Sequence, residues 1–224
     1  MIDSIQTFGD SFLFGSDLKD SDNRMKFSHK TWPALIAKEL SLNYDCQSRG
    51  GCGNHNISKN ILNFLNRSSL IIINWTWIDR FDYDDDTRGW QKTIRPGSDN
   101  EISKFFYKEI HTEEDDKFRS LSYIHSTHHY LKENNIPFIA TYMDQLLLDS
   151  SWNISSGIIK LQEIIKKDLQ TFPDNQTFLE WSRANNYPES EGWHPLELAH
   201  QEAAKYWKPI YEKLINTHIT TNWD

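Results

Sequence analysis

Cysteine is scarce in this chain of 224 residues, which has only Cys46 and Cys52. Two are too few for a disulfide framework, so whether they pair is left open, and small packing residues are the preferred reading. Basic residues are also in deficit: 24 Lys and Arg stand against 32 Asp and Glu, a formal net charge of -8. This argues against nucleic acid or an anionic membrane surface as the main partner, because both need a basic footprint. Neutral and cationic substrates stay open. No apolar run approaches the ~20 residues of a membrane span. The N-terminus lacks the apolar core of a secretory signal, so the expected location is cytoplasmic, or outside the cell by a route without a signal peptide. Internal repeats, low-complexity tracts and Gly/Ser linkers are missing as well, which predicts a single domain over residues 1–224.

What the chain does have is an alternation of strand-like and helix-like segments. Strands are expected at 4–8, 42–46, 70–73 and 137–142, and helices at 31–40, 54–65, 101–134 with a break near His111-Thr112, and 155–172. The run Leu70-Ile71-Ile72-Ile73 is continuously apolar, as fits the centre of a parallel sheet covered on both faces. Residues 178–182 read either as a helix or as the remnant of a fifth strand. A last helix is expected from Pro195 to about residue 215, kinked by Pro209. Strand, helix, strand order predicts right-handed crossovers and an α/β fold: a three-layer α/β/α sandwich with a central parallel sheet.

Between 79 and 100 this pattern stops. Asp82, Asp84 and Asp86 are spaced like calcium ligands, but the loop lacks glycine at its sixth position and has Thr93 at its twelfth, so it fails the calcium-loop test. The reading is a solvated acidic insertion that follows the third strand and covers the site. His125, His128 and His129 share helical spacing, yet no accompanying Glu completes a zinc motif, and they read as exposed or partly buried. No metal or cofactor is expected.

The chemistry is concentrated at the two ends of the chain. Ser11 follows the first strand, at the carboxyl end where open α/β sheets bind ligands. A serine nucleophile needs a base and a group to hold that base, and Glu191-Gly192-Trp193-His194-Pro195 offers both, three residues apart. The expected triad is Ser11, His194 and Glu191.

Gly9-Asp10-Ser11 near one end, with an acid-x-x-His-Pro near the other, resembles the SGNH (GDSL-type) hydrolases, and the likeness runs over nearly the whole chain. The resemblance implies a flavodoxin-like fold with sheet order 2-1-3-4-5, and a metal-independent serine esterase working through an acyl-enzyme. Gly50-Gly51-Cys52-Gly53-Asn54 looks like the second block, where Gly51 would donate to the oxyanion together with the Ser11 N–H. The third block departs from the family pattern: an ungapped reading puts Trp77 where the oxyanion asparagine belongs, so either Asn74 or Thr76 supplies the donor from a shifted register, or the hole relies on the Ser11 and Gly51 N–H groups. Losing such a donor costs on the order of 3 kcal/mol in the transition state. The implied substrate is a small-molecule or glycan ester, O-acetylated carbohydrate included. The alternatives are a carbohydrate-binding or structural module with weak or no activity, and an acyltransferase using the same residues.

Overall fold

The computed structural model describes residues 2–22, 25–85, 90–152 and 154–221, the side chains of 85, 90, 91 and 217–221 excepted. Its centre is a parallel four-stranded sheet in the order β2-β1-β3-β6, built from β1 (Ser4–Phe8), β2 (Asn43–Cys46), β3 (Ser69–Trp75) and β6 (Phe138–Tyr142). The β1–β3 register runs from Ser4 opposite Ser69 to Phe8 opposite Ile73, and β3 continues against β6 with Ile71 opposite Phe138.

Successive strand side chains point to opposite faces, so the apolar run of β3 divides between two cores. Leu70 and Ile72, with Ile5 and Ile139, pack under α2 (Trp32–Glu39), α7 (Phe178–Ala184) and α8 (Glu197–Thr221) through Trp32, Trp181, Ala203 and Trp207. Ile71 and Ile73 face the other way, against Ile57 of α3 (Asn54–Phe64), Leu121 and Ile124 of α5 (Glu113–Glu133), and Ile158 of α6 (Ser156–Ile165). All four residues at 70–73 are fully buried, each worth ~1.5–3 kcal/mol of transfer free energy. This is the predicted three-layer sandwich. The break before α5 falls where expected: Thr112 caps the helix by accepting from the Asp115 N–H, after a short helix α4 (Glu101–Phe105) and one wide turn over Phe106–Ile110.

Two expectations need correction, and one open reading is decided. A fifth strand is reduced to a single parallel bridge between Leu169 and Ala140, with the Gln170 N–H donating to the Ala140 carbonyl at 2.8 Å. Pro173 cannot donate to a ladder, and Asp174 and Asn175 adopt left-handed φ of 60° and 58°, so the chain turns away. Residues 178–182 are helical, started by a capping box in which Thr177 and Glu180 satisfy each other's backbone N–H. The insertion is a β-hairpin, β4 (Phe81–Asp85) paired antiparallel with β5 (Trp90–Ile94), and Asp82 is buried rather than solvated. Its carboxylate accepts from the Gly53 N–H at 2.9 Å, the Asn56 N–H at 2.8 Å and Thr93 Oγ1 at 2.6 Å, which ties the hairpin to the start of α3. Asp86 of the calcium-like run lies outside the described residues. No helix among the described residues is long and apolar enough to cross a membrane.

Candidate active site

The short helix α1 (Ser11–Phe14) begins directly at the carboxyl end of β1, with Asp10 as its N-cap. Asp10 is fully buried and spends both oxygens locally: Oδ1 accepts from the Phe12 N–H at 3.0 Å, Oδ2 from Thr76 Oγ1 at 2.8 Å and, more loosely, from Arg80 at 3.4 Å. The turn that presents Ser11 is thereby fixed from three sides. The second block is drawn to the same strand end, because the Gly9 carbonyl accepts from the Arg49 N–H at 2.9 Å and from the Cys52 thiol. A Cβ on Gly50 would stand 4.0 Å from the Ser11 Cβ, so the block abuts the serine. Gly51 has φ +75°, a conformation that favours glycine. Among the described residues neither the Ser11 nor the Gly51 N–H has an intramolecular acceptor.

His194 arrives from the far end of the chain. Residues 188–196 form a tight loop rather than the start of a helix: Pro195 bridges Glu189, and the Ser190 N–H donates to the His194 carbonyl at 2.9 Å. α8 begins only at Glu197. Trp193, at φ 63°, forms the loop's exposed corner. This geometry corrects the expected contact between Glu191 and His194. Glu191 lies exposed in the loop and makes no hydrogen bond to His194. The carboxylate beside the imidazole is Asp17, whose Oδ2 stands 2.7 Å from Nδ1 and also accepts from Ser190 Oγ at 2.7 Å. Asp17 has a left-handed φ of 67°, and Gly192 packs over the pair so closely that a Cβ there would lie 3.0 Å from the carboxylate and 3.2 Å from Nδ1.

Ser11, Gly51 and His194 line one cavity of about 650 Å³ together with Phe12, Trp77, Leu179 and Trp193. No direct hydrogen bond joins Ser11 Oγ to the imidazole. Asn74 and Thr76, expected to add an oxyanion donor, are both buried and absent from the cavity wall. Asn74 Oδ1 accepts from Thr141 Oγ1 at 2.8 Å, while Thr76 gives its hydroxyl to Asp10 and its N–H to Asn54. What faces the cavity after β3 is Trp77, with the Arg80 guanidinium 4.4 Å from its ring centroid and hydrogen-bonded to the Cys52 carbonyl at 2.9 Å.

The remaining titratable candidates are structural. His200 is buried, its Nδ1 accepts from the Trp32 N–H at 3.2 Å, and burial pushes its pKa down to about 3. His128 is buried too, whereas His125 and His129 stack on each other at the surface side of α5. Asp144 caps the turn after β6 and accepts from the Ile78 N–H at 2.9 Å; burial raises its pKa. Cys46 and Cys52 are free thiols, and among the described residues no group of three or more His, Cys, Asp or Glu could hold a metal ion. Sequence reasoning missed Asp17, Arg80 and the hairpin's Arg95, which also lines the cavity. The only available signal for Asp17 was its place in a polar loop following the serine.

No protein-family model matches the sequence, and no curated protein matches it. Solved structures do. The acetyl xylan esterase Est2A from the rumen bacterium Butyrivibrio proteoclasticus aligns with 95% of this chain at a TM-score of 0.52 and 15% identity. The chain spans 64% of that protein's length. A carbohydrate esterase family 2 enzyme with a carbohydrate-binding domain, from Corynascus thermopiles (Myceliophthora fergusii), aligns with 95% of this chain and 66% of its own, with a TM-score of 0.52 and 14% identity. TesA aligns with 94% of this chain and 99% of its own length, with a TM-score of 0.50 and 13% identity. The likeness is one of fold, and that fold is the SGNH hydrolase fold.

Proposed function

We propose that this chain is a serine esterase that removes acyl groups from carbohydrate, acetyl groups first among them. The observation that carries the proposal is the His194–Asp17 pair at 2.7 Å, set on the wall of the cavity that Ser11 and two unengaged N–H groups also line. With Nδ1 held by Asp17, Nε2 is the nitrogen left to take the Ser11 proton as Oγ attacks the ester carbonyl. Asp17 fixes the tautomer and stabilises the imidazolium. The Ser11 and Gly51 N–H groups receive the oxyanion, and the positive charge of Arg80 stands in the same cavity where the family's asparagine would act. His194 then returns its proton to the leaving alcohol, and water cleaves the acyl-enzyme by the same path. The names of the aligned enzymes, an acetyl xylan esterase and a carbohydrate esterase, favour a sugar ester, and the Trp77 and Trp193 rings suit a sugar face.

One observation favours a second reading, a glycan-binding module that kept the fold: Ser11 and His194 share a cavity without a direct hydrogen bond. Catalytic contacts in ligand-free sites often tighten only with substrate, which leaves the esterase reading ahead. Intact mass and peptide mapping after treatment with a fluorophosphonate decide between the two. A single adduct on the peptide containing Ser11, lost in His194→Ala, is the expected result; a folded protein that takes no adduct establishes the second reading.

A further inference from the structure

In a chain with a net charge of -8, the walls around Ser11 carry the opposite sign. Arg80, Arg95 and Arg183 line the cavity, and no Asp or Glu is among its described wall residues. A second cavity of about 630 Å³ adjoins it through the shared residues Gly50, Gly51 and Arg95, and adds Arg49 and Lys92 against one acid, Glu101. Two of the three arginines around Ser11 already have carboxylate partners: Arg80 meets Asp10 at 3.4 Å, and Arg183 meets Glu189 at 3.0 Å. Arg95 has none among the described residues. Its Nη1 lies 3.1 Å from where a Gly51 Cβ would be, beside the glycine that lines both cavities.

We infer that the substrate is an ester bearing an anionic group, and that Arg95, carried by the hairpin insertion, is the residue that selects it. This deepens the esterase reading and rests on it for the identity of the bond broken. Guanidinium presents several N–H donors in a fixed fork that matches carboxylate, sulfate or phosphate oxygens, which a neutral sugar hydroxyl does not reproduce. The location explains why a strongly acidic protein would take an anion. The field of the whole chain repels it, and the local cluster at the junction of the two cavities overrides that repulsion within a Debye length, about 10 Å at 0.1 M salt. Arg95 stands at that junction, so the anionic group would lie past Gly51, on the side of the site away from Trp193.

The test is made on Ser11→Ala, which binds without turnover. Its affinity by calorimetry is compared for an O-acetylated methyl glucuronoside, the neutral methyl ester of the same compound, and an O-acetylated methyl glucoside 6-phosphate. The expected result is binding of at least one anionic ligand about tenfold tighter than the neutral one, a preference that collapses in Arg95→Ala, is restored only in part by Arg95→Lys, which keeps the charge but loses the fork, and shrinks in high salt. Whichever anion binds more tightly tells whether carboxylate or phosphate is the group recognised. Equal affinities, absence of binding by all three, or a preference that survives Arg95→Ala overturns the inference. The esterase reading fails separately: a wild-type protein that refuses the fluorophosphonate while Ser11→Ala keeps the anion preference has lost its chemistry but not its specificity site.

Discussion

His194 and His128 each sit beside an aspartate, and of these two only His194 faces the cavity that Ser11 lines. His194 keeps a fifth of its side chain exposed on the cavity wall and has Asp17 Oδ2 at 2.7 Å from Nδ1. His128 is 2% exposed, its Nε2 accepts from the indole N–H of Trp75 at 3.1 Å, and Asp168 lies 3.5 Å from its Nδ1. Burial pushes the His128 pKa down to about 4, with Asp168 pulling it back up and failing to win. A neighbouring carboxylate therefore does not make a general base. The ring must also have its second nitrogen uncommitted at an open surface, and of these two rings only that of His194 lies on a cavity wall.

The largest expected effect comes from removing the feature that sets His194 apart. Asp17→Asn keeps an oxygen for the Ser190 hydroxyl but can present an N–H to Nδ1, which favours the tautomer that cannot accept the Ser11 proton. Turnover of an activated acetyl ester should fall by about three to four orders of magnitude, as in triads altered at the acid, with thermal stability nearly unchanged. A loss smaller than about tenfold would show that the Asp17 contact positions the loop without serving the imidazole.

The complementary experiment acts on the buried histidine and reads stability instead of rate. His128 in the unfolded chain titrates near 6.5, and in the fold near 4, so between these values the unfolded state binds more protons. Stability is therefore full above about pH 6.5 and falls as the pH drops toward 4, by on the order of 3 kcal/mol at most for this one group. His200, pushed down to about 3, adds a loss of the same sign. Urea midpoints at neutral and acidic pH should show this slope, and His128→Gln, whose amide oxygen can still accept from Trp75, should flatten it. Ser11 labelling in that variant should stay intact. An unchanged slope would mean that the acid sensitivity belongs to other groups.

The contrast also shows what the chain discloses before it folds. The candidate serine and the histidine were legible because each sits in a compact local pattern: Gly9-Asp10-Ser11 at a strand end, and His194-Pro195 ahead of a helix. Both cores were legible because Leu70 to Ile73 must be covered on two faces. Asp17 was not, since its pairing with His194 spans 177 positions and depends on a left-handed backbone at a non-glycine residue. The insertion was misread because five nearby aspartates look solvated, whereas Asp82 is folded inward against the first turn of α3. The entry of Arg80 was equally hidden, because it reaches the cavity through tertiary contacts, stacked on Trp77 and bonded to the Cys52 carbonyl.

The smallest expected effect tests the same contrast from the side of the acid that lost the competition. Glu191 sits three residues before His194, the spacing that made it the natural partner on paper, yet the loop bonds from Ser190 to His194 and the left-handed turn at Trp193 carry it into solvent. Glu191→Gln removes a charge from an exposed position and touches neither the imidazole nor Asp17. Its kcat/KM on a neutral acetyl ester should stay within about twofold of wild type, because exposed charges act weakly through screened solvent. A drop beyond about tenfold would reverse the assignment: it would mean that the 188–196 loop rearranges when substrate binds and hands the imidazole from Asp17 to Glu191. Asp17→Asn would then retain most of its activity, so the two variants measured side by side identify which carboxylate the histidine uses.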